Sequence, residues 1–383
     1  MGWLTGWNNR FSIKLDRTDV DDNLSNFPIL IVLSGSTGIN SQDLTPIFDE
    51  LGENNLKFAI TTDDGVAQCY NEVEFWSGAI EQAWIWTKVP VVTSSAAAED
   101  TKLYFYYSKN QSDNSTYVGA IDSVAGRNVW DSNFVLVCHM QDSTTSLVLD
   151  STSTGQDGTK TGANNPIVSN AIVSKGQSFN GTTSGINFSS GAAINNLLTL
   201  TYEAWIAPIT WGEGTWGRII HTETYGPIFY LSQNDAAEGT GSLTFCKIFT
   251  GTDGYWHTAN NTITTGSPKG ALPAWQYVAV TYNTGSNANN PIFYITGSVS
   301  PTQLLNRPTN IANSDNYCEL WVGNMASNAR TFSGSIDEVR VSNVIRSAAW
   351  IKATYETGRN NFLSFGAIEK PAVLHRMLFG VGL

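Results

Sequence analysis

The chain contains few charged residues, and fewer basic residues than acidic ones. Only 14% of its 383 residues are charged, whereas roughly a quarter are charged in typical soluble domains. The 21 Lys and Arg residues are outnumbered by 33 Asp and Glu residues, so the formal net charge is -12. Affinity for nucleic acids and anionic membranes depends on a positive surface. We therefore expect no nucleic-acid partner and no membrane insertion.

Closely spaced cysteines, long apolar runs and a recognisable export signal are also missing. Cys69, Cys138, Cys246 and Cys318 are widely separated and form no CxxC pair, so zinc and dithiol redox sites have no support. Reduced thiols and one or two disulfides are equally consistent with these positions. No apolar run is long enough to span a membrane, and the N-terminal residues lack the basic and apolar regions of a signal peptide.

Aromatic and β-branched residues, by contrast, are abundant and occur in short runs. The 13 Trp, 14 Tyr and 17 Phe residues suit the half-buried surfaces of β-strands. In AWIWTKV at residues 83–89, two tryptophans alternate with Ile85 and Thr87, a period of two that predicts a strand. Similar runs recur along the chain between clusters of Gly, Asn, Asp and Ser, which predicts an all-β fold.

A polar segment at residues 111–128 separates two series of predicted strands. We therefore predict an N-terminal β-sandwich domain at residues 1–127 and a second, larger jelly roll of two sheets at residues 128–358. An apolar C-terminal tail follows at residues 359–383. The fold class is thus all-β, with two β-sandwich domains.

One short helix is predicted near the C-terminus, at residues 347–357. Ser347 can cap its first turn and Gly358 can end it. The tail beyond it is rich in apolar residues between Phe362 and Leu383. Because free termini with such a composition are unusual, we expect the tail to dock, on a neighbouring subunit rather than on its own.

Seven short motifs follow one another along the second unit. They are VWDSNFVLVCHM, LDSTSTGQDGT, SFNGTTSGINF, LTYEAWIAP, PAWQYVAVTYN, LWVGN and FSGSIDEVRVSNVIRSAAWI. This order resembles that of LamG-type concanavalin A-like lectin/glucanase domains, which implies a concanavalin A-like jelly roll. The first unit, through GWNNRFSIKL, FPILIVL and LKFAITTDDG, resembles an uncharacterised β-sandwich domain that often precedes LamG modules in bacterial and phage proteins.

We predict no catalytic residues and no enzymatic activity. The glucanase branch of the family uses the pattern Glu-x-Asp-x-x-Glu, which the chain lacks. Glu72 and Glu74 share one face of the strand YNEVEFW, and we interpret that face as solvated because Val73 and Phe75 supply a buried side. No GxSxG elbow precedes any histidine, and His139 in an apolar strand is expected to be a hydrogen-bonded core residue.

The resemblance also implies a structural Ca²⁺ site near the last strand of the sandwich. Its ligands here would be Asp337, Asn180 and Gly181, since calcium prefers carboxylate and carbonyl oxygens. In the alternative interpretation, Asp337 and Glu338 pair with Arg340 or cap a turn. The family's aspartate in the turn is Asn180 in this chain, which removes one negative charge from the site.

Two glycine-bounded loops carry the aromatic rings and polar groups that sugar binding requires. They are WGEGTWGR at residues 211–218 and GTDGYWHT at residues 251–258. The candidate glycan-binding residues are Trp211, Trp216, Asp253, Tyr255, Trp256 and His257. In the alternative interpretation, these aromatic rings only cover an edge of the sandwich.

Together these features favour a non-enzymatic structural or adhesion protein of a virus particle, such as a phage fibre, decoration or receptor-binding subunit, with a lectin-like glycan-binding module. Such a protein reaches the exterior by lysis and needs no export signal. We expect it in the virion, as a homo-oligomer or assembly subunit that binds host-surface glycans or other virion proteins. The alternatives are a secreted or cell-surface glycan-binding protein and, with less support, a glycoside hydrolase.

Overall fold

The computed structural model describes residues 2–144, 146–162, 165–233, 240–266 and 274–371. These residues form two β-sandwiches built almost entirely from antiparallel strands, which confirms the predicted fold class. Within the described ranges, no helix has the length and apolar character needed to cross a membrane.

The first sandwich consists of two four-stranded sheets. Its elements are β1 (Asn9–Leu15), a 3-10 helix (Arg17–Asp19), β2 (Leu24–Leu33), α1 (Pro46–Leu51), β3 (Phe58–Thr62), β4 (Asn71–Ser77), β5 (Gln82–Val92), β6 (Lys102–Tyr107), β7 (Val118–Ala120) and α2 (Val124–Arg127). One sheet has the order β2-β5-β4-β7, and the other contains β1, β6 and β3. The short helices α1 and α2 were not predicted from the sequence.

The second sandwich is larger and also has two sheets. Its strands are β8 (Phe134–Cys138), β9 (Leu147–Val148), β10 (Gly158–Thr161), β11 (Ile167–Asn170), β12 (Lys175–Asn180), β13 (Gly185–Phe188), β14 (Thr199–Pro208), β15 (Arg218–Thr222), β16 (Ile228–Ser232), β17 (Thr240–Lys247), β18 (Gly254–Thr258), β19 (Ile263–Thr264), β20 (Gln276–Asn283), β21 (Ile292–Ile295), β22 (Ser298–Ser300), β23 (Thr302–Asn306), β24 (Leu320–Val322) and β25 (Ser333–Ser342). A 3-10 helix (Glu213–Thr215) precedes β15.

Strand pairing defines the two layers of this second sandwich. The ten-stranded sheet has the order β23-β18-β17-β16-β15-β24-β13-β10-β9, and β19 pairs with β17. The eight-stranded sheet has the order β11-β12-β25-β14-β20-β21-β22, and β8 pairs with β25. Alternate side chains of both sheets, such as Phe245 from one and Tyr282 from the other, meet in a common apolar core.

The predicted C-terminal helix is present as α3 (Ala348–Gly358). The hydroxyl of Ser347 accepts a hydrogen bond from the backbone N–H of Trp350, as expected for an N-cap. The indole of Trp350 packs edge-on against Phe27 of β2 at 4.8 Å between ring centres. Residues of α3 and of both sandwiches therefore belong to one continuous apolar cluster.

The first part of the C-terminal tail lies in the first sandwich of the same chain. Strand β26 (Leu363–Phe365) pairs antiparallel with β1, so that Phe365 lies opposite Ile13. The side chains of Phe362, Leu363 and Phe365 are all buried in the apolar cluster. For these residues, the expectation that the tail docks on a neighbouring subunit is wrong, because β1 offers them an open sheet edge. The remaining apolar residues of that prediction, Val373, Leu374, Met377, Leu378, Phe379, Val381 and Leu383, lie outside the described residues.

The four cysteines are unpaired and buried, which decides between the two alternatives left open by the sequence. Burial raises the pKa of the Cys69 and Cys246 thiols to about 12. They therefore stay protonated at neutral pH and serve as small packing residues.

We predict that Phe365→Ala destabilises the protein by about 3 kcal/mol or more, because it removes a buried ring that contacts Phe11 at 6.1 Å between ring centres. The matched control is Ile368→Ala, since Ile368 follows in the same segment but is 37% exposed. Chemical unfolding monitored by fluorescence measures both variants. Equal losses of stability would show that β26 does not depend on burial of Phe365.

Candidate functional site

A cleft of about 640 Å³ lies on the ten-stranded sheet of the second sandwich. Its floor is formed by side chains of β15 to β18, and these alternate with side chains that point into the core. On β18, for example, Tyr255 and His257 line the cleft while Trp256 between them is fully buried. The cleft therefore occupies the outer face of this sheet, as the period of two in a strand requires.

The loop before β15 places one tryptophan inside the sandwich and one at the cleft. Gly212 has a φ of +77°, and a Cβ atom there would lie 2.5 Å from the Cα atom of Gly217, so this tight turn requires glycine. Trp211 is buried in the core. Trp216 lines the cleft and is 44% exposed.

The structure thus separates the six predicted glycan-binding residues. It brings Trp216, Tyr255 and His257 together at the cleft. The prediction is wrong for Trp211 and Trp256, because their rings fill the core and a ligand cannot reach them. Asp253 does not line the cleft, and its carboxylate instead accepts a hydrogen bond from the Phe249 N–H, which shapes the turn before β18.

Sequence reasoning missed the other residues that complete the cleft, most of which lie on strands. The described residues lining it, beside the three above, are Arg218, Ile228, Tyr230, Ser232, Gln233, Thr244, Cys246, Asn260 and Leu305. The side chain of Arg218 lies across the floor, with its guanidinium carbon 4.4 Å from the ring centre of Tyr230. The signal that could have found these residues is alternation, since polar and aromatic side chains of β16 and β17 alternate with buried apolar ones.

The predicted calcium ligands are not brought together. Asp337 lies beside Gly176, four residues before Asn180 on the paired strand β12, which corresponds to about 13 Å along a strand. The Asn180 side-chain oxygen accepts hydrogen bonds from the N–H groups of Thr182 and Thr183, and so it closes its own turn. Asp337, Asn180 and Gly181 therefore cannot form the expected shell, because the strand register keeps the carboxylate away from the turn.

A second group of polar residues lies between the two sandwiches. Glu72 and Glu74 on β4 are only 0% and 5% exposed, so the interpretation of this strand face as solvated is wrong. The face is covered because it packs on the eight-stranded sheet of the second sandwich. Glu72 accepts a hydrogen bond from the indole N–H of Trp130, at 2.7 Å.

His139 is at the centre of this buried ionic cluster. Its Nδ1 atom is 2.7 Å from Glu338 Oε1 and its Nε2 atom is 3.2 Å from Glu72 Oε2, which confirms a hydrogen-bonded core histidine. The guanidinium of Arg340 donates to the other oxygen of Glu338, at 2.7 Å. Its carbon lies 4.5 Å from the ring centre of Trp86 and 5.0 Å from that of Trp130.

Burial and neighbouring charges shift the pKa values of the cluster residues in different directions. Burial alone would lower the pKa of His139, but Glu338 and Glu74 together raise it well above the usual value. Burial opposes ionisation of Glu338, yet His139 and Arg340 hold its pKa below the usual range. Burial raises the pKa of Glu74 to about 8. At neutral pH a charged Glu338 therefore faces two cations, whereas Glu74 is protonated.

Among the described residues, Glu74, His139 and Glu338 form a set that could offer metal ligands. One ligand atom from each lies within 4.8 Å of the others. These atoms, however, already pair with one another and with Arg340 and Trp86. All three side chains are also buried, so a solvent-borne substrate cannot reach them. We therefore interpret the cluster as an ionic network that joins the sandwiches.

Comparison with protein families agrees with this fold. Residues 180–352 match the model of the concanavalin A-like lectin/glucanases superfamily. This match confirms the resemblance for most of the second sandwich. The proposed relationship of the first sandwich to domains that precede LamG modules stays a prediction. A comparison with curated proteins gave no match in sequence.

Several solved structures are similar to part of this chain at low sequence identity. Domain 4 of an extracellular arabinanase from Geobacillus stearothermophilus, solved with arabinotriose, is 17% identical with a TM-score of 0.42, and the match covers 57% of this chain and 97% of that one. The binding domain of Paraclostridial Mosquitocidal Protein 1 is 16% identical with a TM-score of 0.43, and the match covers 59% of this chain and 52% of that one. The receptor-binding domain of botulinum neurotoxin mosaic serotype C/D is 14% identical with a TM-score of 0.41, and the match covers 58% of this chain and 50% of that one. This chain thus spans about half of each toxin domain.

We predict that Glu74→Gln makes the protein's stability less dependent on pH. The folded state holds a proton on Glu74 up to about pH 8, whereas the unfolded chain releases it near pH 4.5. Stability therefore falls as the pH rises through this window, by about 1.4 kcal/mol per pH unit for each proton. The variant should lack this decline and exceed the wild type in stability at pH 8, as measured by urea unfolding from pH 5 to pH 8.

Glu99→Gln is the matched control for this prediction, because Glu99 is exposed and lies in the same sandwich. It should leave the pH dependence of the wild type unchanged. His139 contributes a further decline above its unfolded pKa of about 6.5, and this part should persist in Glu99→Gln and also in Glu74→Gln, where Glu338 still raises the pKa of His139. The same slope in Glu74→Gln and wild type would contradict a protonated Glu74.

Proposed function

We propose that the second sandwich is a non-enzymatic glycan-binding module and that the cleft on its ten-stranded sheet is the binding site. The observation that carries this proposal is the position of Trp216. Its indole is exposed at the cleft, which Tyr230 and Tyr255 also line. The C–H faces of sugar rings pack on such aromatic surfaces, while hydroxyl groups bond to polar side chains.

The surroundings of Trp216 support a prearranged binding surface. The guanidinium carbon of Arg330 lies 4.8 Å from the Trp216 ring centre, a distance at which a cation attracts the ring face. The backbone carbonyl of Trp216 also accepts a hydrogen bond from Arg218. The ring is therefore held in place before any ligand arrives, which reduces the entropy lost on binding.

The size and composition of the cleft also support binding. A volume of about 640 Å³ lies within the range of roughly 300 to 1,000 Å³ that is typical of small-ligand sites. His257 and Gln233 supply polar groups at the cleft. Glycoside hydrolysis requires two carboxyl groups flanking the scissile bond, and the described lining residues include neither Asp nor Glu. This composition favours binding over hydrolysis.

The biological setting of this module is a further proposal, for which only the sequence provides support. We propose an adhesion or receptor-binding subunit of a virus particle, with a secreted or cell-surface glycan-binding protein as the alternative. Mass spectrometry of purified virus particles tests this setting. Detection of the chain at a stoichiometry typical of structural subunits is expected, and its presence only in the medium or on the cell surface would support the alternative.

We predict that Trp216→Ala weakens glycan binding about tenfold or more, equivalent to about 1.4 kcal/mol, because it removes the exposed stacking surface. A glycan array identifies ligands of the wild type, and calorimetry then measures their affinity. The matched control is Tyr225→Ala, since Tyr225 is an aromatic residue of similar exposure, 46%, that does not line the cleft. Unchanged binding by Trp216→Ala, or an equal loss in the control, would contradict the proposed site.

A further inference from the structure

Arg218 is a cation in the cleft that lacks an acidic partner. Its Nε donates to His221 Nδ1 and its Nη1 to the carbonyl of Trp216, both at 3.2 Å. Within the described ranges, no carboxylate forms an ion pair with its guanidinium, and no protein acceptor engages its Nη2 atom. The side chain is only partly exposed, so water replaces the missing partner incompletely.

A neutral histidine fixes the direction of this guanidinium. Burial lowers the pKa of His221, so its imidazole is uncharged at neutral pH. Because Nδ1 accepts the Arg218 hydrogen bond, the single ring proton must lie on Nε2, which faces Glu223 Oε1 at 3.4 Å. The Glu223 carboxylate also accepts a hydrogen bond from the Ala326 N–H. The nearest acid in this chain of contacts is therefore used to orient His221 rather than to neutralise Arg218.

We propose that the cleft selects glycans that carry an anionic group, a carboxylate or a sulfate, and that Arg218 binds this group. This inference rests on the proposed glycan-binding function of the same cleft. The free edge of the guanidinium can donate parallel hydrogen bonds to two oxygens of such an anion, the arrangement that makes arginine effective in anion recognition. Trp216 and Tyr255 would contact the apolar faces of the same sugar.

The charge of the whole protein limits the kind of anionic glycan. With a net charge of -12, the protein repels a polyanion over distances up to the Debye length, about 8 Å at physiological salt. An isolated acidic sugar in an otherwise neutral glycan meets little of this repulsion and still gains the local contact with Arg218. We therefore expect single uronic acid or sulfated residues rather than highly sulfated chains.

The test uses matched sugars that differ only in the anionic group. The probes are the methyl glycosides of glucuronic, galacturonic and mannuronic acid, the corresponding 6-sulfated hexosides and the neutral methyl hexosides. Ligand-observed NMR titration of the full chain measures each affinity. We expect an acidic or sulfated sugar to bind the wild type about tenfold more tightly than its neutral counterpart. Comparison of the uronic acids with the sulfated hexosides then identifies the preferred anion.

Arg218→Gln should abolish this preference, so that the acidic and neutral members of each pair bind the variant with equal affinity, and its circular dichroism spectrum should match that of the wild type, which shows that the variant is folded. Arg218→Lys retains the charge without the planar fork and should keep part of the preference. The charge-matched control Lys175→Gln removes a cation from β12, on the other sheet, and should behave as the wild type. A wild type that binds neutral sugars as tightly as acidic ones overturns the anionic selectivity alone. A wild type that binds none of the probes overturns both this inference and the proposed function.

Discussion

The arrangement of the two sandwiches depends on the buried ionic cluster around His139. Removing one member of a buried charge pair leaves the other uncompensated and typically costs about 3 to 5 kcal/mol. His139 takes its hydrogen-bond partners from both sandwiches, since its Nε2 atom contacts Glu72 of the first and its Nδ1 atom contacts Glu338 of the second. The same charges would be satisfied by few other relative positions of the domains. We infer that the cluster defines the orientation of the sandwiches more than it adds to their stability.

This constraint determines which surface of the second sandwich is available to a ligand. The outer face of the eight-stranded sheet is covered by the first sandwich and by α3, since Trp205 of β14 packs on Tyr355 of the helix at 5.5 Å between ring centres. The outer face of the ten-stranded sheet carries the cleft. One layer of the sandwich therefore packs on the first domain and the other carries the cleft that we propose as the binding site, and the shared apolar core lies between them.

The sequence predicted the fold class and helix α3 because both depend on local patterns, namely alternation and a serine cap. It predicted Trp216, Tyr255 and His257 at the cleft but also Trp211 and Trp256, because glycine-rich surroundings do not reveal burial. Treating GYWHT as a strand rather than a loop would have placed Trp256 on the opposite face. Burial of the Glu72 and Glu74 face could not be predicted, since no pattern within one strand shows that a second domain covers it.

The tail completes a reciprocal dependence between the sandwiches. Strand β1 pairs with β6 on one side and with β26 on the other, so without β26 its backbone groups would form an exposed sheet edge. The chain reaches β26 only after the whole second sandwich and α3. The tail that follows the second sandwich thus provides the edge strand of the first, and the first sandwich covers the ionic face of the second. Because Ile13 of β1 and its partner Phe365 of β26 are 352 positions apart, we expect the final docking to be slow relative to local strand pairing.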